Sequence, residues 1–405
     1  MIFTEAAYFL GLAVTVVLFR FAPSRLRPWL IFVSGLSFYA YYAGRYWLLV
    51  LVEALLVFVL GRIMRRRGPV SWAALAVGLV ATVGALAYFK YSRLLGTTFG
   101  GALGARTTGL LTFQDVAVPL AISFFTFEFI HYLVDSRRGT IAAHGLGDFL
   151  AFAMFAPTMV AGPIKRFQQF TPQVASARAD AADVSAGLTR ITCGLFKKVV
   201  LADTFALWGT TLASHRALAH ASRFEIVASL VAFSMRIYFD FSGYSDIAIG
   251  SARLFGIRVP ENFCWPYLRT SIQSFWRHWH MSLTKWVLDY IYIPLGGNRR
   301  GLALTCVNLI VSFAVIGIWH GGAWHFLAWG LFQGVLMTLY RLWSDLVRKP
   351  LLASVPALTA GSGGRALHYA GSVAGGLLTF ACVTLGWGLF VMPYHRFLFM
   401  LGRLL

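Results

Sequence analysis

The sequence predicts an all-α protein that crosses a membrane many times, and its composition and its apolar pattern both point to this class. Of its 405 residues, 58% are hydrophobic and only 12% are charged, too few to cover the surface of a soluble globule. Apolar runs close to the roughly 20 residues that cross the hydrocarbon core recur along the chain. We therefore expect about ten or eleven membrane-spanning helices, with re-entrant and interfacial helices between them.

The first third of the chain contains the first group of predicted spans. They lie near residues 5–22, 28–43, 46–61, 70–90 and 116–134. The loops after the first, third and fifth runs carry the arginines, so the positive-inside rule places the N-terminus outside the cytoplasm. We expect a multi-pass protein of the plasma (inner) membrane. The net charge of +20 is typical of topology signals and contacts with lipid headgroups, which argues against nucleic acid as a partner.

The rest of the chain alternates spans with shorter pieces. The run 149–161 is too short to cross and is followed by helix breakers, which indicates a re-entrant or interfacial segment. The stretch 253–300 interleaves aromatic and charged residues, as amphipathic helices at a membrane surface do. The segment 353–365 is the predicted linker. Further spans are predicted at 186–212, where Lys197 and Lys198 interrupt the run, and at 224–250, 302–319, 324–343 and 370–392.

His320 is the first candidate for chemistry, because it ends an apolar run that begins at Leu302. Ionisable groups at membrane depth are costly, so such a group is a functional hypothesis by default. The alternative is a neutral imidazole that is hydrogen-bonded inside a helix bundle. Gly321 and Gly322 follow at once, and their lack of a side chain would let substrate or backbone approach. We favour a general base or a nucleophile in a dry pocket.

Three more histidines lie in this part of the chain. His280, in "WHMSL", is as consistent with catalytic or substrate-orienting work as with packing. His278 fits an interfacial position. His325 lies five residues beyond His320 and therefore not squarely on its helical face, so we expect it to support structure.

Acidic and basic side chains interrupt other apolar runs. Glu128, His131 and Asp135 share one helical face. Asp240 and Asp246 flank a Gly- and Ser-bearing break in an apolar helix, and we expect them to bond to serines, tyrosines or loop donors.

Three cations are candidates for binding the phosphates of an acyl donor, although we favour the alternative that they belong to solvated, inside-positive loops. They are Lys165, Arg166 and Arg277. The four scattered cysteines show no metal-ligand spacing, so we expect no metal site. Motifs of soluble hydrolases, P-loop ATPases and zinc proteases are absent from the sequence.

Four blocks between residues 118 and 340 together resemble the membrane-bound O-acyltransferase (MBOAT) family, in that family's order. They are most similar to its bacterial branch, which acylates alginate, peptidoglycan or teichoic acid. The blocks are "SFFTFEFIHYLVDSRRG", "FAPTMVAGPIKRF", the segment from "YFDFSGYSD" to "YIPLGGNRRG", and "IWHGGAWHFLAWGLFQG".

The resemblance implies a single MBOAT-like domain over residues 1–405, whose helices form a central funnel or tunnel. Residues 1–115 would supply N-terminal helices, 116–345 the catalytic core, and 346–405 a linker and C-terminal helix. His320 would be the family's catalytic histidine, and His280 its second histidine, lining the tunnel. The "YIPLGGNRRG" block resembles the alginate and peptidoglycan enzymes more than the D-alanine enzymes.

The implied function is transfer of an acyl group, with acetyl favoured, from a cytoplasmic thioester to an extracytoplasmic polysaccharide. The donor would be a co-substrate such as acetyl-CoA or an acyl carrier protein thioester. A periplasmic or extracellular acyltransferase would act as partner. D-alanyl transfer to a teichoic-acid-type polymer stays open, as do a transporter or channel lined by the same polar residues and a scaffold subunit with an inert site. Whether His320 takes a proton or the acyl group is also open.

Overall fold

A computed structural model describes residues 2–65, 68–99, 117–354 and 361–405, and every regular element in those ranges is helical. The predicted all-α class is therefore confirmed. Four of the described helices are long and apolar enough to cross a membrane. They are Tyr46–Met64, Pro69–Gly96, Leu302–His320 and Gly363–Val391.

The chain folds as two compact units, and each is described separately. Unit 1 comprises Met1–Lys198 and Phe241–Glu261, and unit 2 comprises Val199–Asp240 and Asn262–Leu405. Unit 1 contains α1 (Ala6–Phe21), α2 (Arg27–Ala43), α3 (Tyr46–Met64), α4 (Pro69–Phe99), α5 (Ile122–Arg138), α6 (Leu146–Ala153), α7 (Ala156–Met159), α8 (Phe167–Ser176) and α9 (Ala181–Leu195).

The short run predicted to be re-entrant forms the buried centre of unit 1. It folds as the two short helices α6 and α7 because Pro157 and Gly162 follow within one or two turns. Phe149 and Phe152 are fully buried, so the run is covered by protein. Gly35 of α2 contacts the backbone of Met154, where any side chain would overlap the carbonyl group. The predicted break in this run is confirmed.

The helix after α9 changes pitch at the two lysines that interrupt the predicted span. Residues Phe196–Ala202 form a π-helical turn, and α10 (Asp203–Trp208) follows without a break. Such turns insert one extra residue and are often found where a side chain must be redirected. Here Lys197 donates a hydrogen bond from Nζ to Asp246 of the same unit at 2.6 Å.

The helix α12 (Arg223–Leu254) runs unbroken through the Gly- and Ser-bearing segment where we predicted a break. The glycines there serve helix packing. A Cβ on Gly243 would lie 2.7 Å from the carbonyl oxygen of Gly194 in α9, and one on Gly250 would lie 2.5 Å from that of Gly187. Close approach of two helices therefore explains these glycines better than a kink does.

Unit 2 holds the remaining helices and the last predicted spans. They are α11 (His215–His220), α13 (Ile272–His278), α14 (Met281–Val287), α15 (Leu302–His320), α16 (Trp324–Trp343), α17 (Lys349–Ser354), α18 (Gly361–Val391) and α19 (Tyr394–Leu404). The stretch predicted to be interfacial forms the short helices α13 and α14, a 3-10 turn at Pro266–Leu268, a π-helical turn at Leu288–Tyr292 and loops. Residues 353–354 and 361–365 of the predicted linker are helical, and 355–360 lie outside the described residues.

Candidate functional site

His320 is the last residue of α15, at the closed end of a hairpin that α15 forms with α16. The two helices meet at glycines. A Cβ on Gly330 would overlap the carbonyl oxygen of Phe313 and lie 2.9 Å from the Cα of Gly317. Because neither glycine carries a side chain, the hairpin is tight and fixes where α15 presents its last turn.

Aromatic rings enclose the His320 imidazole on two sides. The ring of Trp329 lies 5.2 Å from it and that of Phe390 lies 5.1 Å from it, both nearly perpendicular to the imidazole plane. Trp329 is fully buried. Edge-to-face packing of this kind holds a ring in one orientation. His320 itself is partly exposed, so a reacting molecule can reach it.

His280 lies in the link between α13 and α14 and is 2% exposed. Its φ of 44° is left-handed, a conformation that costs a residue with a side chain about 1–2 kcal/mol. The link is outside the described helices that are long enough to cross a membrane, and burial lowers the pKa of the imidazole to about 3. The His280 imidazole is therefore neutral at physiological pH, a form with one hydrogen-bond donor and one acceptor.

The indole of Trp319 joins the two histidines. Its centroid lies 4.7 Å from that of His320 and 6.2 Å from that of His280. The structure therefore places the two histidines that the sequence singled out next to the same aromatic side chain.

A buried aromatic cluster packs behind this arrangement and gives it a rigid backing. Trp329 stacks on Trp387, Trp387 contacts Trp279, and Trp279 stacks on Phe275, with centroid distances of 5.6, 4.9 and 5.5 Å. All four rings are at most 4% exposed. Trp279 directly precedes His280 in the chain, so the cluster anchors the His280 link as well as the His320 side of the site.

A cavity of about 420 Å³ lies in unit 2 along the same face of α15. The last residue of α15 that lines the cavity is Ile316. It precedes His320 by about one helical turn, or roughly 6 Å along the helix. The rim of the cavity carries Arg277, Arg299 and Arg341, of which the first two are exposed. A mostly apolar cavity with exposed arginines at its rim suits a ligand with a phosphate head and an uncharged arm.

The other residues near His320 differ from the sequence-based expectations in one respect. The space beside Gly321 is filled by the ring of Phe326, so this glycine admits a protein side chain and not substrate. His325 packs its ring on Phe326, at 4.2 Å. The ring nitrogen Nδ1 of His278 lies 2.7 Å from the carbonyl oxygen of Ser274, within its own helix.

The predicted polar face of α5 lies in unit 1, where its members form ion pairs. Lys165 Nζ lies 2.5 Å from Glu128 Oε1, and both side chains are buried. His131 contacts Asp135 at 3.2 Å and Arg166 at 3.4 Å. Lys165 is 1% exposed and bound to a carboxylate, so the structure does not support it as a phosphate ligand.

The two aspartates of α12 are divided between the units. Asp246, in unit 1, accepts hydrogen bonds from Arg190 Nε and Lys197 Nζ, both at 2.6 Å. Its partners are therefore cations, where we had predicted serines, tyrosines or loop donors. The physical reason is burial, because a carboxylate that is 6% exposed is stabilised more by a charge than by a hydroxyl group. Asp240, in unit 2, is partly buried.

Sequence reasoning overlooked two polar residues beside His280. The backbone carbonyl of Asn262 accepts a hydrogen bond from the Met281 amide at 2.9 Å, and its side chain accepts one from Ser282 at 2.6 Å. Asn262 is fully buried. It precedes His280 by 18 residues, so no local periodicity indicates the contact.

Comparison with known proteins identifies the family. The model of the membrane-bound O-acyltransferase family matches residues 68–372, about three quarters of the chain. The chain belongs to the membrane-bound O-acyltransferase family. It is thus a multi-pass membrane enzyme of the O-acyltransferase class, which confirms the resemblance seen in the motifs. This membership also favours the enzyme over the transporter and scaffold alternatives.

Curated relatives of this chain are named for the acylation of alginate, peptidoglycan or teichoic acid. It is 35% identical to a probable alginate O-acetylase of Pseudomonas aeruginosa over 84% of this chain and 66% of that relative. It is 33% identical to a peptidoglycan O-acetyltransferase of Helicobacter pylori, over 82% and 68% of the two chains. It is 30% identical to a teichoic acid D-alanyltransferase of Streptococcus thermophilus over 57% of this chain and 58% of the other.

Proposed function

We propose that this O-acyltransferase moves an acetyl group from a cytoplasmic thioester, acetyl-CoA or an acyl carrier protein thioester, to a hydroxyl group destined for an extracytoplasmic polysaccharide. The protein would lie in the inner membrane with its N-terminus outside the cytoplasm. The observation that carries this proposal is the cavity in unit 2, because the residues of α15 that line it end one helical turn before His320.

The cavity fits the donor better than the acceptor. Its arginines match the phosphates that both proposed donors carry, and its mostly apolar lining can accommodate an uncharged pantetheine arm. A thioester at the end of that arm would reach the His320 end of α15. A polysaccharide, which is broad and hydroxyl-rich, does not suit an apolar channel of this size.

The transfer step needs one base, and it neither consumes nor releases a proton overall. His320 removes the proton from the acceptor hydroxyl, the oxygen attacks the thioester carbonyl carbon, and the carbon–sulfur bond breaks. The departing sulfur takes the proton back from the imidazolium, so the products are an ester and a thiol. Neutral His280 would donate a hydrogen bond to the carbonyl oxygen as negative charge develops on it. In the alternative course, His320 attacks the thioester and carries the acetyl group as an acyl-imidazole.

Acetyl is favoured over D-alanyl because both acetylating relatives align over more than four fifths of this chain, and the D-alanyl relative over 57%. A periplasmic or extracellular acyltransferase would be the partner that completes modification of the polymer. Neighbouring membrane lipid is the remaining contact that the exposed apolar helices imply.

The test uses the full chain in lipid nanodiscs, where both faces are accessible. Radiolabelled acetyl-CoA is the donor, with mannuronate oligomers and peptidoglycan glycan strands as acceptors. Thiol release and alkali-labile acetyl ester are both measured. His320→Ala should lower transfer by about 10²–10⁴-fold, the range for losing a general base, while donor binding persists. His280→Ala is measured in parallel.

Three results would change the proposal. Transfer by His320→Ala at the wild-type rate would remove this histidine from the chemistry. Acetyl recovered on His320 after acid quenching would make it the nucleophile. Turnover of a D-alanyl carrier-protein thioester, with none of either acetyl donor, would replace acetyl by D-alanyl.

A further inference from the structure

The segment 262–264 clasps the link that carries His280. The Cys264 amide donates a hydrogen bond to the carbonyl oxygen of His278 at 3.1 Å, and the Met281 amide donates one to the carbonyl oxygen of Asn262 at 2.9 Å. These two bonds lie on either side of His280 in the chain. The left-handed turn at this residue is therefore closed from both ends by the same short segment.

The side chain of Asn262 adds a third bond to the clasp. Its Oδ1 accepts a hydrogen bond from Ser282 Oγ at 2.6 Å, in the first turn of α14. Asn262 is fully buried and Ser282 is 6% exposed, so water competes little for this bond. Asn262 thus binds α14 through its main chain at Met281 and through its side chain at Ser282.

We propose that Asn262 and Ser282 are positioning residues, which hold His280 in its left-handed conformation and so aim its imidazole at the reacting carbonyl. A residue with a side chain keeps such a conformation only where its surroundings over-determine it. Without the Asn262–Ser282 bond, the clasp is reduced to its two main-chain bonds, and the left-handed turn can relax toward an ordinary conformation. The imidazole would then move away from its place beside Trp319.

This inference rests on the catalytic role proposed for His280, and it makes a distinct kinetic prediction. Neither residue lines the donor cavity, so the clasp should not affect donor binding. A misplacement of a catalytic group by about 1 Å can cost as much as 10²-fold in rate. The effect should therefore appear in kcat, with KM for acetyl-CoA unchanged.

The experiment compares Ser282→Ala, Ser282→Thr and Asn262→Ala with wild type in nanodiscs, with acetyl-CoA as the probe and thiol release as the readout. Ser282→Ala and Asn262→Ala should lower kcat by about 10-fold or more, within the range for a misplaced catalytic group, with KM within twofold. Ser282→Thr keeps the hydroxyl and should restore most of kcat. Ser234→Ala is the matched control, because Ser234 also donates a buried hydrogen bond, to Thr384 at 3.0 Å, in the same unit.

Thermal unfolding of each variant separates positioning from loss of structure. The proposal holds if Ser282→Ala lowers kcat while its unfolding temperature matches that of Ser234→Ala, which should keep its kcat. It is overturned if Ser282→Ala keeps its kcat, or if Ser282→Thr fails to recover although it folds. If His280→Ala itself retains full activity, the role proposed for His280 fails. If His280→Ala is inactive but both clasp variants are active, only the positioning inference fails.

Discussion

The ionisable side chains that the sequence singled out have different surroundings in the two units. In unit 1, the Lys165 ammonium group contacts the Glu128 carboxylate and lies 4.7 Å from the Phe152 ring, and Asp246 accepts hydrogen bonds from Arg190 and Lys197. In unit 2, His320 and His280 pack against aromatic rings, and a cavity with an arginine rim approaches His320 along α15.

The difference distinguishes polar side chains that stabilise the fold from polar side chains that are candidates for the chemistry. A buried charge is tolerated when an opposite charge and hydrogen bonds offset the cost of its desolvation. Breaking such a pair therefore lowers the stability of the fold. A histidine among rings is held in orientation by packing, and the rings themselves do not accept or donate its proton. We infer that variants in unit 1 should affect stability first and variants around the histidines should affect turnover first.

The largest effect that we expect from this difference is a loss of stability when Lys165 is replaced. Lys165→Met leaves the Glu128 carboxylate buried without its charge partner, which should lower the free energy of unfolding by about 3–5 kcal/mol. Turnover per folded molecule should stay within about twofold, since the pair is not assigned to the chemistry. Thermal unfolding in detergent and acetyl-CoA turnover measure the two quantities.

The control for this variant is an exposed ion pair that loses the same group. Lys349 lies 2.6 Å from Asp345 and is 65% exposed, so Lys349→Met should lower stability far less than Lys165→Met does. The double variant Lys165→Met with Glu128→Leu should recover most of the stability, because an apolar pair can replace a buried ion pair. Normal stability of Lys165→Met with lost turnover would contradict the contrast between the units.

The next effect in size is expected at the glycine contact of the hairpin. A methyl group at Gly330 must push α15 and α16 apart, because it would overlap the carbonyl oxygen of Phe313. Gly330→Ala should cost about 1–3 kcal/mol of stability, as overpacking usually does. It should also lower kcat, since Trp329 and His320 move with the two helices.

A glycine with open surroundings provides the control for the same substitution. A Cβ at Gly371 in α18 meets no atom within 4 Å, so Gly371→Ala should leave stability unchanged or raise it by up to about 1 kcal/mol. Unchanged kcat in Gly330→Ala, despite lowered stability, would indicate that the hairpin geometry does not set the position of His320.

The fold class, the bounds of several long helices and the two candidate histidines follow from the sequence, for physical reasons. A helix that crosses the hydrocarbon core must be apolar over about 20 residues. The C-terminal end of α15 was therefore predicted to within one residue. His320 is conspicuous because an ionisable group ends such a run. The pairing of Lys165 with Glu128 was not predictable, because it joins residues 37 positions apart in the chain.

The part of the site that the sequence does not indicate depends on irregular backbone. Asn262 looks like an ordinary loop asparagine, and its bonds to Met281 and Ser282 arise only from the folded path of the chain. The left-handed conformation of His280 has no sequence marker either, because glycine is the residue expected there. The candidate catalytic histidines can therefore be predicted from composition and pattern. The residues proposed to position them cannot.

The smallest expected effect tests whether the cavity rim is part of donor binding or only solvated charge. Arg299 is exposed and lines the cavity, so its attraction to donor phosphates is screened by water. Arg299→Gln should raise KM for acetyl-CoA by up to about 5-fold, because an exposed charge contact is worth up to about 1 kcal/mol. The value of kcat should not change, because the contact is equally strong before and during transfer.

The neighbouring arginine supplies a control with the same change of charge. Arg300 is exposed and does not line the cavity, so Arg300→Gln should leave both KM and kcat near their wild-type values. Added salt should shrink the difference in KM between wild type and Arg299→Gln, since the Debye length falls from about 10 Å at 0.1 M to about 3 Å at 1 M. A fall in kcat with constant KM would instead mean that the rim acts on His320 and not on the donor. Equal KM values for the two variants would mean that the donor enters elsewhere.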